Sequence, residues 1–221
     1  MTDERSDHIL DAALPVFGHY GYGKTTMQDI ARAAGMSRAA LYLHFATKEE
    51  LFRAGTRRAH ARALDQVDAV LAAPGDVVTR VSTAMSTYFG GLMAQISSTA
   101  HGGELRDASL TVTGDIVGDA HTALISRLAA ALEEAAAAGE VWLSVLDATA
   151  EDLARLLLAT ADGLAKANPD PQVWREQRAL FFRLVSAAIT TPEGTSPPPP
   201  RPPARRRSTS TVSAAARRAE R

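Results

Sequence analysis

The chain has 221 residues, 46% of them hydrophobic, which is room for one large or two modest domains around a buried core. Its 24 Lys and Arg stand against 25 Asp and Glu, so the whole-chain balance marks neither a nucleic-acid binder nor an enzyme for acidic substrates. The absence of Cys excludes a disulfide framework, thiolate metal sites and thiol catalysis.

The opening MTDERSDHIL lacks the basic and apolar regions of a signal peptide, and no apolar run reaches the ~18 residues of a membrane span. The expectation is a cytoplasmic, non-enzymatic protein with no membrane partner, cofactor or metal.

From Asp3 to about Thr190 apolar residues recur at three and four, Ala is abundant and alternating β-branched runs are missing. The expected class is all-α. Ile9, Leu10, Ala13, Leu14 and Phe17 form a first stripe ending near Gly18, with Pro15 expected to kink it or loosen its middle turn. Thr26-Met27-Gln28-Asp29 is a capping-box start, and Gly35 fits the left-handed position that ends the short helix. Ser37 is the next N-cap candidate, before two turns reaching Phe45. Thr47-Lys48-Glu49-Glu50 opens a long helix toward Leu71, ended by Pro74-Gly75. Longer amphipathic stretches follow over 76–96, 113–138, 149–166 and 171–189, with a bend or close backbone approach expected at Gly90-Gly91.

Two motifs compete in the first fifty residues. Gly18 to Thr25 satisfies the phosphate-loop pattern Gly-x-x-x-x-Gly-Lys-Thr, and Val141 to Asp147 even offers a metal-binding partner strand. A nucleotide hydrolase needs a buried strand before that loop, however, and the preceding segment has helical period. Thr26 to Lys48 instead reads as two capped helices joined by a tight turn at Gly35, the layout of a helix-turn-helix. Between Tyr20 and Arg62 eight cationic residues face three acidic ones, so the neutral total conceals a basic unit suited to a phosphate backbone. A helical adaptor with a vestigial helix-turn-helix is the remaining alternative.

The pattern Gly21-Tyr22-x-x-Thr25-Thr26-Met27-x-Asp29-Ile30-Ala31-x-x-Ala34-Gly35-Met36-Ser37-x-Ala39-x-Leu41-Tyr42-x-His44-Phe45-x-x-Lys48-Glu49-x-Leu51 resembles the N-terminal DNA-binding domain of tetracycline-repressor (TetR) family regulators. Ala39 stands where Gly is common in that family.

The resemblance implies phosphate contacts from Thr26, Ser37, Tyr42, His44 and Lys48, and base-edge contacts from Gln28, Arg38, Ala40 and Leu43, with Lys24 and Ala39 in the same DNA-facing set. Physical chemistry agrees in part. Helix starts at Thr26, Ser37 and Lys48 favour anions, the Arg38 fork matches guanine, Gln28 matches adenine, and Ala40 or Leu43 suits a thymine methyl. His44 has the alternative of a packed helix-end histidine, and Leu43 the alternative of core packing.

The resemblance also implies a helix-turn-helix domain over 1–50, linked by a helix to about residue 72, and an effector-binding and dimerisation domain over 73–190. Met85, Tyr88, Phe89, Met93, His101, His121 and Trp142 are candidate pocket residues. A metal at His101 and His121 is disfavoured, since neither has a second ligand at metal spacing. Leu156, Leu157, Thr160 and Leu164, with Phe181, Leu184, Val185 and Ala188, are candidates for a homodimer face. The expected partners are double-stranded operator DNA, a second copy and a small-molecule effector, in a regulator of the repressor type. Residues 191–221 turn Pro- and Arg-rich, with seven Arg against two Glu, and are expected to be a disordered tail.

Overall fold

A computed structural model gives the fold of residues 4–97, 101–167 and 170–190. Every element among these described residues is helical. The helices are α1 (Glu4–Lys24), α2 (Met27–Ala33), α3 (Arg38–Tyr42), α4 (Lys48–Leu71), α5 (Val77–Ser97), α6 (Gly102–Ala137), α7 (Ala150–Ala167) and α8 (Pro171–Ile189), with a 3₁₀ turn at Leu143–Leu146 between α6 and α7. The expected tail and the side chain of Met93 lie outside the described residues.

Short-range chemistry sets the ends of the small helices. The Thr26 hydroxyl accepts from the Asp29 amide at 3.2 Å while the Asp29 carboxylate accepts from the Thr26 amide at 3.1 Å, a reciprocal capping box. Gly35 at φ 64° lets the chain turn back, so that the amides of Gly35 and Met36 reach the carbonyls of Arg32 and Ala31. Ser37 caps α3 through the Ala40 amide at 3.1 Å, and Thr47 caps α4 through the Glu50 amide at 3.0 Å. The returning Glu50 carboxylate takes the Ala46 amide, one residue before the one a capping box uses.

These caps place α1, α2, α3 and the start of α4 around one apolar core: Ile9, Leu10, Phe17, Ile30, Leu41, Phe45 and Leu51, joined from the body by Leu105 of α6. A second core begins further along α4 at Ala63 and Val67 and is filled by Tyr88, Met85, Leu124, Leu128, Leu132 and Leu157. α4 thus serves both cores, packing against α5 and α6 beyond its first turns. Two ties close the body at one end, from the Val77 amide to the Glu140 carboxylate and from the Trp142 amide to the Ile189 carbonyl at 2.8 Å.

Three local expectations are corrected. Helix α1 continues regularly through Pro15, whose exposed ring costs the helix one hydrogen bond on its solvent side; the break falls at Gly21, with φ 78° and ψ 164°. Nothing approaches within 4 Å of a Cβ placed on Gly90 or Gly91, so this pair marks no close backbone contact. Helix α6 begins at Gly102 rather than near Thr113, because Thr113, at φ −130°, is a kink inside one long helix and not its start.

Candidate nucleic-acid interface and interhelical cavity

Helix α3 is anchored from behind. Leu41 is fully buried and Phe45, four residues on, nearly so, which turns the opposite face of α3 to solvent. On that face lie Ser37, Arg38, Ala39 and Tyr42, with Ala40 half-buried at its edge. Arg38 donates to the Tyr42 hydroxyl at 3.0 Å and its guanidinium carbon lies 5.3 Å from the ring centre, so the two side chains extend outward together. Leu43 is 86% exposed, which removes the core-packing alternative for it.

Lys24, Thr26 and Gln28 are exposed at the α1–α2 junction. His44 is half-buried, with Ser6 Oγ 3.5 Å from its Nδ1. Lys48 is less available than its position suggested: its Nζ donates to the Tyr22 and Gly23 carbonyls at 2.7 and 3.0 Å and lies 4.6 Å from the Tyr22 ring centre. It fastens the end of α1 to the start of α4, and its charge acts on this face from behind those carbonyls.

The basic count of this region is also redistributed. Arg58 bonds Asp7 and Asp11, and Arg53 makes a two-pronged pair with Asp115 while donating to the Val112 carbonyl. That pair holds the Asp115 carboxyl down at about 2. These two cations therefore tie α4 to α1 and to the α6 kink, leaving Lys24, Arg32 and Arg38 as exposed cations beside α2 and α3. A second tie reaches α1 from α6, where Glu104 accepts from the Gly23 amide at 2.8 Å; a side chain at Gly21 would meet that carboxylate.

Between the two cores lies a cavity of about 510 Å³. One end is aromatic and polar: His60 of α4 lies 2.8 Å from the Tyr88 hydroxyl, with His121 and Phe89 beside it at ring-centre distances of 6.2 Å from Tyr88 and 5.3 Å from Tyr88 respectively. The other end is apolar and formed with α1, where Phe17 packs 5.1 Å from Phe52 beside Leu51, Leu14 and Leu105. Burial first, and then the neighbouring His121, depress His60 to about 4, while burial pushes the Tyr88 hydroxyl up.

Of the candidate pocket residues, Tyr88, Phe89 and His121 line this cavity. Met85 is sealed in the body core, Trp142 joins the loop before the 3₁₀ turn to α8, and His101 sits at the start of α6 with Nδ1 3.6 Å from Glu104. His101 and His121 are twenty residues apart along α6, about 30 Å by helical rise, too far to share a metal. The α1 and α4 contributions were missed. Their one sequence signal was His60 in the apolar stripe it shares with Ala63 and Val67.

On the candidate dimer face Leu156, Leu184 and Ala188 are exposed, and Thr160 and Leu164 partly so. Leu157 is corrected: at 1% exposure it belongs to the chain's own core, since a helix turns it about 100° away from Leu156. Phe181 and Val185 also lean on that core, whereas Leu180 joins the exposed set.

The phosphate-loop pattern is absorbed into the end of α1. Its Thr25 is buried and donates its hydroxyl to the Gly21 carbonyl at 2.6 Å, which leaves no loop for phosphates and no free hydroxyl for a metal. Among the described residues no helix is long and apolar enough to cross a membrane.

Comparison with known proteins agrees with this geometry. The family described as bacterial regulatory proteins, tetR family, matches residues 9–54. The HTH-type transcriptional regulator AcrR of Shigella flexneri is 47% identical over 51 residues, 23% of this chain and 24% of that protein, so the match spans about a quarter of that relative. Two solved structures align nearly whole. SmeT, the repressor of the Stenotrophomonas maltophilia multidrug efflux pump SmeDEF, is 25% identical with a TM-score of 0.65, covering 89% of this chain and 97% of SmeT. A TetR transcription regulator from Haloarcula marismortui is 21% identical with a TM-score of 0.70, covering 85% and 99%, a likeness of fold. Residues 9–54 thus match the tetR family of bacterial regulatory proteins, and the helical body behind them shares its fold with SmeT.

Proposed function

We propose that the protein is a DNA-binding transcriptional regulator without catalytic activity, acting in the cytoplasm as a repressor. It binds a palindromic operator as a homodimer and is released when a small molecule occupies the cavity between α1, α4, α5 and α6. The observation that carries this reading is the outward face of α3, where Arg38 and Tyr42 stand clear of a helix anchored by Leu41 and Phe45. In the major groove Arg38 pairs with guanine, Leu43 meets a thymine methyl, and Ser37, Thr26 and Lys24 touch phosphates.

One recognition helix of five residues offers few contacts, so affinity calls for a second copy reading a second half-site. Leu156, Leu180 and Leu184 supply an apolar surface on α7 and α8 for that copy. The domain division into a reading unit up to about residue 50, a linking helix to about 72 and a binding body to 190 follows the two cores served by α4.

Release is a population shift: an effector that favours a conformer with misplaced recognition helices lowers operator affinity by that difference. SmeT has been solved in complex with triclosan, which supports a small-molecule role for the corresponding body here. Selection of bound sequences from random duplex DNA with purified protein tests the proposal. A palindromic consensus is expected; a protein that enriches nothing is an adaptor instead.

A further inference from the structure

The cavity touches α4 from Leu51 to Arg62, about 16 Å of helix, and its lining runs from His60 and Tyr88 to Leu14 and Phe17. Its two ends differ in chemistry. At the far end the paired His60 and Tyr88 share one hydrogen bond, and a neutral imidazole plus a phenol carry two protons between them. One proton closes the pair and the other is a donor to a third group, while the pair retains an acceptor lone pair. At the near end Leu14, Phe17 and Leu105 offer only carbon, and two of these three belong to the DNA-reading unit itself.

The charges along the wall are largely matched. Asp11 accepts from Arg58 at 2.6 Å and lies 3.8 Å from Arg62, and Asp162 already has an interaction partner.

Resting on the reading of this cavity as the effector site, we infer that the effector is an elongated, uncharged molecule with one hydroxyl or carbonyl at one end. That oxygen seats on the His60–Tyr88 pair, and the apolar tail wedges between α1 and α6 against Leu14 and Phe17. The tail is then the part that acts on DNA binding, because it reaches the helix that packs on α2 and lies beside the Glu104 tie to Gly23. A charged head would have to be desolvated against an imidazole that burial keeps neutral.

The test uses the full-length protein with three probes, 4-octylphenol, 4-ethylphenol and 4-octylbenzoate, followed by calorimetric titration and thermal shift. Wild type is expected to bind 4-octylphenol about a hundredfold more tightly than 4-ethylphenol, as methylenes leave water, and 4-octylbenzoate at least about tenfold more weakly than 4-octylphenol. L14W, at an exposed position, fills the near end; it should weaken 4-octylphenol at least about tenfold and leave 4-ethylphenol within about twofold. Y88F keeps the ring and should weaken both phenols about tenfold.

If L14W binds 4-octylphenol as wild type does, or if 4-octylbenzoate binds as tightly as the phenol, this inference is overturned while the cavity remains an effector site. If no probe of either charge binds, the cavity reading falls together with it.

Discussion

The reading unit and the body are both helical bundles, yet different forces fix their shapes. In the first fifty residues α2 and α3 are short, and the limits of α2 and α3 and the start of α4 are written by neighbours in sequence: Thr26 with Asp29, Gly35 with Arg32 and Ala31, Ser37 with Ala40, Thr47 with Glu50. In the body the helices run to 36 residues, and their positions depend on packing among Tyr88, Leu124, Leu128 and Leu157 and on ties between distant residues. The reading unit therefore holds one fixed exposed face on α3, while the body keeps a cavity of about 510 Å³ at its junction with that unit. In the proposed function, rigid local specification suits a surface that would match a groove, and a loosely filled junction suits one that would respond.

The contrast can be broken first at the body core. Leu128→Ala removes a fully buried side chain and should cost about 2–5 kcal/mol in chemical denaturation. A loss under about 1 kcal/mol would mean the body is not held by packing.

The second effect is a pH dependence. In the unfolded chain His60 takes up a proton below about pH 6.5, whereas in the fold it stays neutral down to about 4. Its contribution is fully present above pH 6.5 and fades as the pH falls toward 4, by up to about 3 kcal/mol. H60L should flatten that stretch of the stability curve; an unchanged slope would show that other groups carry it.

A smaller effect belongs to the reading unit, where Thr26→Ala removes half of a capping box and should cost about 1 kcal/mol. The smallest concerns residues 191–221. Their seven Arg are expected to add non-specific phosphate contacts, so deleting them should make the salt dependence of DNA binding shallower without moving the consensus.

The same contrast explains what could be read from sequence. Caps and turns are local, so Thr26, Gly35, Ser37 and Thr47 announced their roles, and the face of Arg38 and Tyr42 followed from the spacing of Leu41 and Phe45. The cavity is a product of tertiary packing. No periodicity reveals that Leu14 of α1 and His60 of α4 share a space with His121 of α6, or that of the equally buried Met85 and Tyr88 only Tyr88 lines it. Charge misled for a related reason. Arg53 and Arg58 counted toward a basic DNA-facing unit, and only the fold shows them committed to Asp115, Asp7 and Asp11. Likewise the helical stripe containing Leu157 was legible, but not that Leu157 faces the chain's own core while Leu156 faces outward.

The central claim is that the exposed face of α3 meets DNA, with Arg38 reading a base edge and Tyr42 touching a phosphate. Its most direct test is the affinity of wild type, R38A and Y42A for the duplex selected from random DNA, at one salt concentration, with melting temperatures measured alongside. Losing a bidentate guanine contact is worth about 1–3 kcal/mol, so R38A should bind on the order of ten to a hundredfold more weakly and lose its preference at that position. Both residues are exposed, so the melting temperatures should not move by more than a degree or two. Undiminished, equally selective binding by R38A and Y42A would contradict the account.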